Sequence, residues 1–224
     1  LPLSQNNRSA KGIRYFLGMS GAVSGMERMR RKRRASHLGP YPMETVKRVD
    51  KPTTLILDDE VPRIPQRALF YFRAEKGDLG AKMVSQRPRW SYKHPFAQGI
   101  LPLIWEMVKH QDIETAPTIT AGTSDAEANT KAIKSLSYYL GSAVTGICEI
   151  PDWAWYSHKK DGSPIEPYHK YAVAMAIDQG MDTFDGACGD DWISGSQSMR
   201  SYMRGAEIAG VMARHLCDMG HPSR

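Results

Sequence analysis

No apolar run in these 224 residues approaches the roughly 18 that a membrane-spanning helix needs, so none is expected. Cysteine is scarce: Cys148, Cys188 and Cys217 are all there is, and they lie far apart. An odd, dispersed set argues against a disulfide framework and fits a reducing, cytoplasmic compartment. Neither CxxC nor HExxH occurs. The thiols therefore read as small buried apolar side chains rather than metal ligands. A signal peptide, with its short charged start and following apolar run, is missing too. Here the apolar IRYFLGMSGAVSGM comes first and the basic RMRRKRR follows it. Arg30-Arg31 leads into ASHLGPYPMETVKR without an apolar segment, which excludes twin-arginine export. The first residue is Leu1, not Met, so the chain is read as processed or as a piece of something longer.

What is present suits a globular protein: 41% apolar and 24% charged residues, enough for one sizeable domain with an appended arm. The net charge of +6 is unevenly spread. Residues 1–48 hold eleven Lys or Arg against two Glu, a charge of +9, and the remainder carries −3. The basic centre runs from Arg28 to Arg34. Clustered Lys and Arg can displace counterions from phosphates. Few aromatics interleave to stack bases, and no recognition helix or zinc finger follows. The run is read as a solvated basic face, or an arm over an acidic surface, in preference to a nucleic-acid site.

Residues 37–123 carry nine prolines, from Pro40 to Pro117. Each fixes φ and removes a donor, so an extended wrapping segment without long elements is expected. TTLILDD (53–59) reads as a short strand, ALFYF (68–72) as an apolar patch, and Leu103–His110 as a helix with Pro102 near its first turn. His94 and His110 lack a partner motif.

From residue 124 the pattern sharpens. Ser124 with Glu127 predicts a capping box, and Ala126, Ile133, Leu136 and Leu140 a helical face that Gly141 ends. Ala143–Ile150 reads as a strand. At its exit Trp153, Trp155 and Tyr156 either close a core or wall a flat ligand; no ligand-specific residue accompanies them, which favours the core. KDGSP (160–164) is a turn. His169–Asp178 alternates Tyr171, Val173, Met175 and Ile177 with alanines, the pattern of a strand covered on both faces. Residues 179–195 read as a loop. Its Asp182, Asp185, Asp190 and Asp191 do not match an EF-hand and are read as solvated. Ser196 is expected to cap a helix to about Met219, with an apolar stripe through Met199, Met203, Met212 and Leu216. Gly205 and Gly210 cost that helix about 1 kcal/mol each, so close packing against both is expected. Gly220 and Pro222 end it.

Three stretches in order carry a resemblance: KAIKSLSYYLGSAVTGICEIPDWAWYS (131–157), YHKYAVAMAID (168–178) and SYMRGAEIAGVMARHLCDMGHPSR (201–224). With PYPMETVKRVDKPTTLI (40–56), which is similar to the cytoplasmic, catabolic branch, they resemble the reductive dehalogenase family, and specifically its N-terminal region. LGSAVTGI (Leu140–Ile147) and DMGHPSR (Asp218–Arg224) carry most of the match. The resemblance implies an enzyme that removes halide from organohalides with a corrinoid (cobalamin) and two [4Fe–4S] clusters. Its CxxCxxCxxxCP-type run is absent here, and no residue of this chain matches the family's catalytic or cofactor-binding positions.

The fold expectation is therefore an α/β protein. Residues 124–224 form an α-β-β-α half-module, nitroreductase-like or cobalamin-binding-like, and residues 1–123 an extended, basic, Pro-rich arm. A further strand is due where the sequence stops at Arg224. No catalytic, cofactor-binding or metal-binding residue is assigned. Partners implied are the remainder of the same enzyme, an electron donor and a small organohalide, with no membrane. The alternatives are a cobalamin- or flavin-binding module similar to the epoxyqueuosine reductases or cobalamin-processing proteins, and a nucleic-acid binder acting through the arm.

Overall fold

The computed structural model describes residues 25–33, 49–51, 54–55, 57, 59–86, 95–180 and 192–224. Contacts cluster into two units, Leu1–Thr54 and Leu55–Arg224. In the first, α1 (Gly25–Lys32) carries the basic run and exposes Met26 and Met29 three residues apart.

In the second unit the strand expected over 53–59 is absent among the described residues. Leu57 instead accepts from the amide of Glu60 in a turn, 2.9 Å, and Leu55 is 80% exposed. Thr53, Ile56 and Asp58 of that stretch lie outside the described residues. The 68–72 patch forms the end of a 3-10 turn (Gln66–Ala68) and the start of α2 (Phe70–Lys76). The short α3 (Ala81–Gln86) follows.

Helix α4 (Pro95–Val108) is longer than the prolines led one to expect. Pro95 occupies its first position, where a missing amide costs nothing. Pro102 lies inside and has no amide to offer the carbonyl of Gln98 four residues earlier. Burial of Ala97 and Ile100 as α4 packs along α6 (Trp192–Asp218) offsets the loss.

Helix α5 (Ala126–Tyr139) is capped by Asp125, not Ser124. Its carboxylate accepts from the amides of Glu127 and Ala128 at 2.9 and 3.0 Å. Glu127 pairs forward with Lys131 (2.7 Å) instead of reaching back. The anionic cap also complements the positive end of the helix. Gly141 ends it at φ +102°, with amides 141 and 142 bonded to carbonyls 138 and 137 in a Schellman motif.

The strands β1 (Val144–Glu149) and β2 (Tyr171–Ala176) form a two-stranded antiparallel sheet, Gly146 opposite Ala174 and Ile147 opposite Val173. The elements are thus mixed α/β, and β1 packs on α5. The alternation signals coverage on both faces, yet Cys148, Ala174 and Ala176 on the face opposite Ile147 and Val173 are exposed. Residues small enough for close packing have nothing packed on them among the described residues.

Helix α6 starts at Trp192, four residues before the expected cap. Ser196 lies inside it and is 2% exposed. The described core is narrow, centred on Ile208, Met212, Ala213 and Cys217 of α6 against α4. A Cβ added at Gly205 would meet Ile177 at 3.8 Å, an ordinary contact, and one at Gly210 would meet nothing within 4 Å, so close packing accounts for neither glycine. Gly220 (φ +85°) and amides 220 and 221 end α6 in a second Schellman motif. Across that end runs 115–120, whose Ala116 and Thr120 amides donate to the Cys217 and Met219 carbonyls, both 2.9 Å. These bonds satisfy acceptors that a helix C-terminus leaves open.

Candidate functional site

The aromatics after β1 sit on a loop held by backbone pairing. Ser157 donates to the Ile64 carbonyl (2.8 Å), and Gln66 to that of His158 (2.9 Å). Ile165 closes the loop on Ser157 at 3.0 Å. Arg63 is the centre of this arrangement. One Nη2 donates to the carbonyls of Tyr156, at 2.9 Å, and Ile165. Sequence reasoning had no signal for Arg63, a lone arginine between prolines. Trp155 is half-buried edge-on against Tyr168, 4.8 Å between centroids, while Trp153 remains 38% exposed. The three aromatics therefore sit on a surface loop and do not fill a deep core among the described residues.

Around this loop the charges are exposed. Lys160 lies 4.0 Å over the Phe72 ring, a cation–π contact. The Asp161 carboxyl is held below its ordinary value, first by the Ser163 hydroxyl and then by the Ser163 amide.

A cavity of about 810 Å³ opens elsewhere, between α5, the sheet and α6. Ile133, Leu136, Val173, Met175, Met212 and Leu216 are among its walls. These are the amphipathic stripes that the sequence showed. What it did not show is that they face each other across space. Trp153, Trp155 and Tyr156 take no part in it. Near its α5 wall three hydroxyls form a buried chain: Ser137 to Thr145 at 2.6 Å and Ser142 to Thr145 at 3.0 Å.

Of the other sequence-derived candidates, Cys217 is buried, donating to the Ser223 carbonyl at 3.3 Å, and Cys148 is exposed. The reading of buried thiols thus holds for one of the two described. His110 is exposed. Cys188, His94, Asp182, Asp185, Asp190, Asp191 and Arg34 lie outside the described residues. No group of three His, Cys, Asp or Glu is placed to hold a metal among the described residues. No helix there is long and apolar enough to cross a membrane.

No family model matches the sequence, and no curated protein does. Solved structures do. A catabolic reductive dehalogenase, NpRdhA, in N-terminally tagged form, is 50% identical with a TM-score of 0.74, covering 94% of this chain and 31% of that one. A reductive dehalogenase structure that suggests a mechanism for B12-dependent dehalogenation matches with the same figures. The tagged NpRdhA in complex with 3-bromo-4-hydroxybenzoic acid is 46% identical with a TM-score of 0.72, over 95% of this chain and 32% of that one. This chain thus spans about a third of the length of the structures it matches. Nothing among them points to an epoxyqueuosine reductase or a cobalamin-processing protein. Nearly the whole chain is thus similar in sequence and fold to about a third of these reductive dehalogenases.

Proposed function

We propose that the chain is the N-terminal, supporting part of a cytoplasmic, corrinoid-dependent reductive dehalogenase that removes halide from halogenated aromatics. The observation that carries this reading is 50% identity sustained over 94% of the chain. In it, residues 124–224 are a degenerate cobalamin-module-like α/β unit and residues 1–123 a basic, Pro-rich wrapping segment.

The donor chemistry of the chain bears on which cofactors it holds. A [4Fe–4S] cluster takes four thiolates, and the whole sequence has three cysteines. One of them, Cys217, is buried in hydrogen bonds at the end of α6. This chain does not fit an iron–sulfur cluster, and the two clusters belong to the remaining polypeptide. The cavity's lining is mostly aliphatic, with Asn129, His169, His215 and His221 among it, a poor match for a corrinoid's amide-rich periphery. The corrinoid, the electron donor's docking site and the organohalide pocket are assigned to the rest of the enzyme as well. What this part contributes is a folded support.

The test is the full-length protein reconstituted with corrinoid and iron–sulfur clusters and assayed for halide release from a bromo- or chloro-hydroxybenzoate. Halide release with the corrinoid spectrum is expected. Neither halide nor bound corrinoid would overturn the reading. The 224-residue chain incubated with cobalamin and desalted is expected to be colourless.

A further inference from the structure

The cavity between α5, the sheet and α6 is walled by aliphatic side chains from three sides, yet it is open. Ala132 of α5 and Ala209 of α6 line it and are exposed, and Ile133, Leu136, Val173 and Leu216 are only partly buried. Protein interiors rarely leave voids larger than a water molecule, and contiguous exposed apolar surface marks association. A groove of about 810 Å³ with such walls is contiguous, partly exposed apolar surface among the described residues.

Its volume falls within the roughly 300–1,000 Å³ of small-molecule sites, but those carry a few convergent polar groups. Here the lining is mostly apolar: Asn129, His169, His215 and His221 lie among the aliphatic residues, and two of the charged lining residues are already paired. Lys170 pairs with Glu149 at 3.4 Å and Arg224 with Asp112 at 3.5 Å. Among the described residues the buried side-chain polar atom without a partner is Arg63 Nε, which does not line the gap. An apolar polypeptide surface makes no such demand. The matched structures supply a source for one, because the similarity covers 31% of their chain and leaves most of it to be accommodated.

We propose that this gap is a docking groove, filled by an apolar segment of the remaining polypeptide of the same enzyme. The inference rests on the reading of the chain as part of a reductive dehalogenase. Docking buries the facing stripes of α5 and α6 together with Val173 and Met175 of β2. It also explains why methionines, which adapt to irregular partners, stand on two of the walls.

The experiment needs no substitution at first. Full-length protein is grown with photo-methionine, irradiated and digested, and cross-links from Met175, which is only partly buried, are mapped. They are expected to reach peptides outside these 224 residues. Links confined to these residues, or links between isotopically distinct copies that vanish on dilution, overturn the proposal, the second in favour of a second copy of the chain. Ala132→Cys and Ala209→Cys give an independent reading. In the native full-length enzyme each is expected to react with maleimide at least tenfold more slowly than in urea. Equal rates overturn the proposal, as does protection that disappears when bound small molecules are stripped. Halide release on the same preparation separates the two ideas. Activity without the cross-links sinks the groove alone. Cross-links without halide or corrinoid sink the enzymatic reading and leave the groove.

Discussion

Arg204 on α6 donates through Nη2 to the carbonyl of Leu140, the C-cap of α5, at 3.1 Å. The next residue is Gly141, and a Cβ there would stand 2.7 Å from the same Nη2. One glycine thus ends a helix and leaves room for the arginine that ties it to α6.

Three glycines with positive φ are expected to rank by what surrounds them. Gly162→Ala has open space and carries the conformational cost alone, about 1–2 kcal/mol. Gly141→Ala adds displacement of Arg204, a flexible side chain that can move at the loss of one hydrogen bond, roughly 1 kcal/mol more. Gly220→Ala sets a Cβ 2.8 Å from Ile119 Cα, which is backbone in a segment bonded to the end of α6. It is expected to exceed about 3 kcal/mol, in the diagnostic tail of point substitutions. Urea unfolding of the three variants gives the order, and Gly220→Ala proving milder than Gly162→Ala would refute it.

The Ser137–Thr145 hydroxyl pair is a second test. Ser137 is 0% and Thr145 4% exposed, so neither is offered water. Thr145→Val keeps the shape but strands Ser137 Oγ, with an expected loss of about 1–3 kcal/mol. Adding Ser137→Ala removes the stranded group, and the double variant is expected to be more stable than Thr145→Val alone. A thermodynamic cycle measures this, and strict additivity would mean the 2.6 Å contact contributes nothing.

These cases mark what the sequence carried and what it did not. Gly141 and Gly220 were legible as helix ends because positive φ is a local demand that glycine meets most cheaply. Both strands were legible, β1 as an apolar, β-leaning stretch and β2 from its alternation, give or take one or two residues. The start of α6 was not: Ser196 has the chemistry of a cap, but tertiary burial carries the helix on to Trp192, with Gln197 donating to the Gly180 carbonyl at 3.2 Å. The strand expected at 53–59 is not seen at its described residues, where Leu57 accepts from Glu60 in a turn. Arg63 and the groove were illegible because each depends on loops or helices distant in sequence meeting in space.

The cap of α5 separates two neighbours that the sequence alone does not rank. Asp125 accepts both orphan amides, so Asp125→Ala is expected to cost about 1 kcal/mol. Ser124→Ala, outside the cap, is expected to stay within about 0.5 kcal/mol of the parent. Paired chemical denaturation checks this, and the reverse order would restore Ser124 as the cap.

Arg63 holds the aromatic loop by serving two of its carbonyls, Tyr156 and Ile165, while two backbone bonds pair Ile64 and Gln66 with 157–158. Arg63→Met keeps an apolar stem of similar reach and removes the charged donor. Two carbonyls then lose their partner, and the expected destabilisation is about 1.5–3 kcal/mol. Because the loop is anchored locally, the effect is expected first as opening, with faster chymotrypsin cleavage at Trp153, Trp155 or Tyr156 at protein concentrations and temperatures where the rest of the fold persists. Arg63→Lys is expected to recover less than half of the protection, since a single ammonium does not reproduce the planar fork. Cleavage rates unchanged in Arg63→Met would show that the backbone pairs at Ile64 and Gln66 hold the loop without the arginine.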